Sequence, residues 1–315
     1  MSKIKPREAG LNKAGLVTHI LREFKHPVIR WAYIFMLPGI IWLFGLHFFP
    51  ILRALFYSLQ QWSGYLTEIP QFTGLRNYVS IFSSRDFWNA IKNTFYFVLL
   101  TVPFNTLFAM IIAVLLSEIR RLRFFFRSLY FVPSVVGLVV ASVIWRWCYE
   151  PLFGIFNFLL DKVGITGIVW LKDPATAMPS IALMTVWQDL GYYVVIFMAG
   201  LTAIPKELYE VGKIDGASRF RQFLAITFPL LAPTTLFVMM YSTIKNLKIF
   251  GEVFVMTGGG PGNSTVTIGF KIYEEAFKFY NYGIANAMAI IMFLIILIIT
   301  MIQFKLLENK TRIGY

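Results

Sequence analysis

Stretches of about 20 predominantly apolar residues, the length needed to cross the hydrocarbon core of a bilayer, recur six times along this chain. They are Trp31–Ile51, Phe95–Leu116, Leu129–Trp147, Ile181–Leu201, Ile226–Ile244 and Ile284–Phe304. In hydrocarbon a backbone must satisfy its own hydrogen bonds, and a helix does so within one segment. No alternating strand pattern competes with these runs. The expectation is an all-α membrane protein with six transmembrane helices. The charged fraction agrees: it is 14% here, with 57% hydrophobic residues, whereas soluble domains carry about 25% charged residues. The single cysteine, Cys148, excludes an internal disulfide.

The net charge of +13 would suggest nucleic acid in a soluble protein. Here the positions of the charges decide otherwise. The N-terminal segment holds Lys3, Lys5, Arg7, Lys13, Arg22, Lys25 and Arg30. The second connection holds Arg120, Arg121, Arg123 and Arg127, and the fourth holds Lys206, Lys213, Arg219 and Arg221. Lys305, Lys310 and Arg312 follow the last span. These regions share one side if both termini do, and they carry most of the basic residues. Lys and Arg collect on cytoplasmic loops, so both termini are expected in the cytoplasm, with lipid rather than nucleic acid as the surrounding partner. Residues 1–30 form a basic N-terminal tail, 31–304 the membrane domain and 305–315 a short C-terminal tail. In the N-terminal tail Leu16, Val17, Ile20, Leu21 and Phe24 line one helical face. An amphipathic helix on the inner leaflet and a loosely ordered basic tail both fit. The first 30 residues lack the apolar core of a cleaved signal, so the first span is expected to be its own targeting signal.

Catalysis needs a constellation of reactive groups, and none is visible. His19 and His26 lie in the tail and His47 in the first span. No metal-ligand cluster or nucleophile elbow occurs. The run Gly258-Gly259-Gly260-Pro261-Gly262-Asn263-Ser264-Thr265 lacks the lysine and second glycine of a phosphate loop, and the charge bias places it outside. The chain is not expected to be an enzyme, to hold a metal or a cofactor, or to hydrolyse nucleotide itself.

The connection between the fourth and fifth spans, residues 202–225, is the most informative stretch. Pro205 suits a helix start. Leu208, Val211 and Ile214 then make a short apolar stripe, and Gly216 supplies a left-handed stop. Ser218 can cap a second helix carrying Phe220, Phe223 and Leu224. Two short helices meeting at a glycine corner, with an apolar stripe among charges, suit a groove on a partner protein. Packing against the chain's own bundle is the equal alternative from these residues alone.

Glu210, then Asp215-Gly216-Ala217, then Phe223, Ile226 and Pro229 resemble the cytoplasmic loop of binding-protein-dependent ABC importer permeases at every spacing. Val211-Gly212 stands where that family usually has two alanines. A second segment, Val255-Met256-Thr257-Gly258-Gly259-Gly260-Pro261-Gly262, resembles carbohydrate-uptake permeases, particularly the first of their two paired permease subunits. Tyr273, Ala276-Phe277, Gly283, Ala285 and Ala287 fit the same pattern. The resemblance implies the type I importer permease fold in a prokaryotic inner (plasma) membrane. It implies a second related permease chain, a pair of ATP-binding subunits that hold ATP and magnesium, and an extracytoplasmic solute-binding protein. It also implies that Glu210, Asp215, Gly216, Ala217, Phe220 and Phe223 couple the chain to the ATPase.

The cargo implied is a sugar or oligosaccharide. Sugars are held by polar groups and aromatic faces, which makes Asn105, Gln188, Asp189, Tyr192, Tyr193, Tyr241, Ser242 and Asn246 the candidates for the pathway. Helix packing is the competing role for each. Asp189 lies about 13 Å below the outer end of its span at roughly 1.5 Å per residue, where a charge is by default functional. An ion-gradient-driven secondary transporter is the alternative. It requires coupling-ion sites at broken helices in repeated halves, and no internal repeat is evident.

Overall fold

The computed structural model describes residues 27–64, 69–119, 123–165 and 167–311. The expected amphipathic tail helix at residues 16–24, along with Arg120, Arg121 and Arg312, lies outside them. Two units are distinguished, Met1–Phe56 and Tyr57–Tyr315. The first contains α1 (Pro27–Leu43), a π-helical turn (Phe44–Phe48) and most of α2 (Phe49–Ser58). The extra residue of the π turn is absorbed by a bond from the Phe49 N–H to the Phe44 carbonyl. Helix therefore continues from Trp31 to Ser58, long and apolar enough to cross a membrane.

The second unit begins with a two-residue antiparallel ladder, β1 (Gln60–Gln61) on β2 (Gln71–Phe72). This strand pair is one the sequence pattern does not announce. After it come α3 (Arg76–Ser83) and α4 (Arg85–Glu118), then α5 (Arg123–Val135), α6 (Leu138–Cys148) and α7 (Ile155–Lys162). Next are α8 (Pro174–Thr202), α9 (Lys206–Ile214) and α10 (Arg219–Gln222), which enters a π turn (Phe223–Thr227). The chain ends with α11 (Phe228–Leu230), α12 (Ala232–Leu247), α13 (Gly251–Met256), α14 (Ile268–Tyr273), a π turn (Glu274–Lys278) and α15 (Tyr282–Thr311).

Among the described residues four helices are long and apolar enough to span: Trp31–Ser58, Arg85–Glu118, Pro174–Thr202 and Tyr282–Leu306. Two bent helix pairs pass the same test when each is taken together, Ser128–Val135 with Leu138–Cys148 at 104°, and Arg219–Leu230 with Ala232–Leu247 at 64°. Counting each pair once restores six. The expected third span, 129–147, is thus not a continuous helix. Pro133 lacks the N–H of the helical ladder, and Gly137 leaves helical geometry at ψ 137° to start α6. The second bend falls at Leu231, between Pro229 and Pro233, where proline interruption is expected. The second span begins at Arg85 rather than Phe95. At 34 residues it is about 51 Å long, well beyond the roughly 30 Å core.

The core of this unit lies between α4 and α8. One cluster joins Phe97 of α4 with Ile181 and Met184 of α8. A second joins Ala109 and Ala113 with Tyr193 and Phe197. The two helices run parallel, as spans two crossings apart must. The bent α5 approaches α8 so closely that a Cβ on Gly191 would sit 1.9 Å from the Tyr130 carbonyl oxygen. The carbonyl of Val136, freed at the break, accepts a 2.9 Å bond from the Gln188 side-chain amide. Near the start of α4, Asn93 donates to the carbonyls of Asn263 and Val266 at 3.0 and 2.9 Å, which holds the glycine-rich segment in place. Within that segment Gly259 has φ +89°, and any Cβ there would lie 2.8 Å from the Phe270 ring.

Candidate functional site

Two constellations emerge, one among α4, α8 and α12 and one at the corner between α9 and α10. The level of the first follows from the parallel packing of α4 on α8. Asn105 lies between the Phe97 and Ala109 levels, as Asp189 lies between those of Met184 and Tyr193. From the third helix, α12, Ser242, Lys245 and Asn246 join them.

Asp189 is ion-paired with Lys245. The pair is asymmetric: the Asp189 side chain is 7% exposed and that of Lys245 is 42% exposed. The second carboxylate oxygen of Asp189 is buried with no hydrogen-bond partner among the described residues, as are both side-chain amide atoms of Asn105. Asn246 donates to the Ser242 carbonyl at 2.8 Å and to its hydroxyl at 3.1 Å. Tyr192 and Tyr193 of α8 meet Tyr241 of α12, with ring centroids 5.5 and 6.3 Å apart. Tyr193 is buried, while Tyr192 and Tyr241 are open on one side. Six of the expected pathway residues thus share one region, Asp189, Tyr192, Tyr193, Tyr241, Ser242 and Asn246, while Asn105 is buried on α4 at about the same level. Gln188 differs, because its amide is spent on the Val136 carbonyl at the α5–α6 break.

Lys245 is not among the residues expected from the sequence, because the apolar run of the fifth span ends at Ile244. The missed signal is that Lys245 lies four residues after Tyr241 and next to Asn246, on a helix that continues to Leu247. Glu252, in the short helix that follows, is buried, and burial pushes its carboxyl above the usual carboxylate range.

The corner between α9 and α10 is built by local rules. Pro205 stands one residue before α9, as its N-cap. At the other end Gly216 has φ +73°, the left-handed stop. The Gly216 N–H reaches the Lys213 carbonyl at 3.1 Å and the Ala217 N–H reaches the Gly212 carbonyl at 2.9 Å, satisfying carbonyls the helix end leaves open. Ser218 then caps α10 through the Arg221 N–H at 3.3 Å. Gln222 donates to the Ala217 carbonyl at 2.9 Å, and the hydroxyls of Tyr209 and Thr227 meet at 3.0 Å, bracing α9 against the following π turn. Ile214 and Phe220 point outward, 85% and 71% exposed. Glu210 and Asp215 are exposed as well, and Ala217 is half-buried. Phe223 instead packs with Tyr209 and Ile226 on the inner core cluster. The outward apolar surface of the corner therefore includes Leu208, Val211, Ile214, Phe220 and Leu224, ringed by charge.

The family of binding-protein-dependent transport system inner membrane components matches residues 78–313. The chain belongs to that family. It is 32% identical to the trehalose/maltose transport system permease protein of Thermococcus litoralis over 290 residues, covering 91% of this chain and 97% of that one. It is also 32% identical to the sn-glycerol-3-phosphate transport system permease protein of Agrobacterium fabrum over 285 residues, with 90% and 96% covered. The fold matches a chain in the crystal structure of a bacterial ABC transporter involved in the import of the acidic polysaccharide alginate. The TM-score there is 0.79 at 21% identity, covering 92% of this chain and 99% of that chain. As a family member, the chain is a multi-pass inner-membrane component of a binding-protein-dependent transporter, and its role is that of a transport subunit.

Proposed function

We propose that this permease is one of two membrane halves of an ATP-driven importer for a carbohydrate, delivered by a solute-binding protein. Relatives named for trehalose and maltose and for starch degradation products support the sugar class. The observation that carries the reading is the cytoplasmic corner: a braced pair of short helices that turns apolar side chains outward among charges. Such a surface needs a partner, and a nucleotide-hydrolysing subunit with a matching cleft fits it. ATP and magnesium reside on that subunit, so this chain carries neither nucleotide chemistry nor a cofactor of its own. Closure of an ATPase pair moves the corner as a rigid body and biases a two-state membrane bundle. Glu210 and Asp215 contribute charge to the joint, Gly216 and Ala217 the turn, and Phe220 apolar contact. Phe223 anchors the corner to the bundle from inside.

The mid-membrane cluster forms this chain's share of the sugar pathway, with Tyr192 and Tyr241 offering faces and Asn105, Asp189, Ser242 and Asn246 offering polar groups. Residues 31–304 make up the membrane domain, residues 202–225 its coupling loop, and both tails lie in the cytoplasm. The test is a cysteine at Ile214 or Glu210, in a Cys148→Ser background, crosslinked within the purified complex. Capture of a nucleotide-hydrolysing subunit is expected; capture of none ends the importer reading. Calorimetry on the companion binding protein then names the sugar.

A further inference from the structure

On α12, Phe237, Tyr241 and Lys245 recur every four residues and are all exposed, so they form one stripe along that helix. Phe237 stacks on Tyr241 at 6.3 Å and 19°, and Tyr192 of α8 closes on Tyr241 from the side. The stripe is aromatic until its outer end, where it finishes in an ammonium group. An uncompensated ammonium at this depth is costly. It is compensated from behind by Asp189, which is buried, while Lys245 keeps its exposed side. Glu252, the other acid close to this pair, is buried too, and burial favours its uncharged form. Lys248, one turn further out, is exposed.

We propose that Asp189 and Lys245 form a charge-neutral selectivity element that admits uncharged sugars and refuses acidic ones. This inference rests on reading the cluster as part of the sugar pathway. The aromatic stripe accepts the C–H faces of a pyranose. The hydroxyls of the sugar can bond the remaining ammonium protons of Lys245 on its exposed side without separating the pair. A uronate carboxylate competes with Asp189 for the same ammonium and meets its negative charge at close range. Remove that charge and the same lysine becomes an anion site. The selectivity therefore resides in Asp189, a residue that faces away from the open side.

The experiment measures binding of maltotriose and of trigalacturonate to the purified complete importer, without its binding protein, by calorimetry. The wild-type complex is expected to favour maltotriose by at least about tenfold, the scale of one partly screened charge contact. Asp189→Asn is isosteric and should erase or invert that ratio by strengthening trigalacturonate. Asp189→Asn combined with Lys245→Gln should abolish the gain. An unchanged ratio in Asp189→Asn, a gain that survives Lys245→Gln, or a wild-type preference for trigalacturonate overturns the proposal. If Asp189→Asn fails to assemble, Lys245→Gln alone decides. It removes the ammonium that a uronate carboxylate needs and should widen the maltotriose preference by about tenfold, whereas an unchanged ratio refutes the element. Wild-type binding of neither trisaccharide removes the pathway reading itself, a distinct result from an altered ratio.

Discussion

Gly216 is the residue whose backbone leaves least choice. Its φ of +73° costs a β-branched side chain about 1–2 kcal/mol, and the strain falls on the joint between α9 and α10. Gly216→Val is expected to assemble with its partners yet lose most substrate uptake while ATP hydrolysis persists. Parallel uptake and ATPase assays on one preparation check this. Gly212 presents the opposite case. It lies in a right-handed helix, and an added Cβ would stand 3.3 Å from the terminal carbon of Ile226, a side chain able to give. The family resemblance places an alanine there. Gly212→Ala should therefore keep full uptake and stabilise α9 by up to about 1 kcal/mol, visible as an unchanged or higher Tm. Both glycines are legible in the sequence. Only the backbone shows that one is required and the other is replaceable.

The bent third span shows what elements demand of one another. Pro133 and Gly137 are readable as helix breakers, so a weak point was foreseeable; the 104° angle was not. It depends on α8 offering a glycine for close approach at Gly191 and a side-chain amide at Gln188 for the freed Val136 carbonyl. Gln188→Leu keeps the bulk but leaves that carbonyl without its partner. A loss of about 1–3 kcal/mol is expected for an unsatisfied buried group, read as a lower Tm of the detergent-solubilised complex. A pathway residue of no structural consequence would show altered sugar binding and an unchanged Tm. By contrast the Arg219–Glu118 pair, 2.6 Å long and joining α10 to the end of α4, is largely exposed. Glu118→Gln is expected to shift stability by less than about 1 kcal/mol.

At the scale of the whole molecule, the charge bias bears on the direction of insertion. With Cys148→Ser as background, single cysteines at Ser2 and at Thr311 should resist a membrane-impermeant thiol reagent in intact cells and react after permeabilisation. A cysteine at Asn263, in the outer glycine-rich segment, should react at once. Labelling at either end without permeabilisation reverses the orientation and removes the corner from the compartment where ATP is held.

Span number, membrane class and the corner motif were decided by the sequence, since hydropathy, charge and turn chemistry act locally along the chain. The Asp189–Lys245 pair, the inward turn of Phe223 and the use of Gln188 at a helix break were decided by tertiary structure. The physical reason is that lipid and protein interior are both apolar. A span such as α8 is hydrophobic nearly all round, so its pattern carries little information about which face meets which neighbour. That choice is made by close packing at small residues and by buried polar groups finding partners, and both exist only once the helices are side by side.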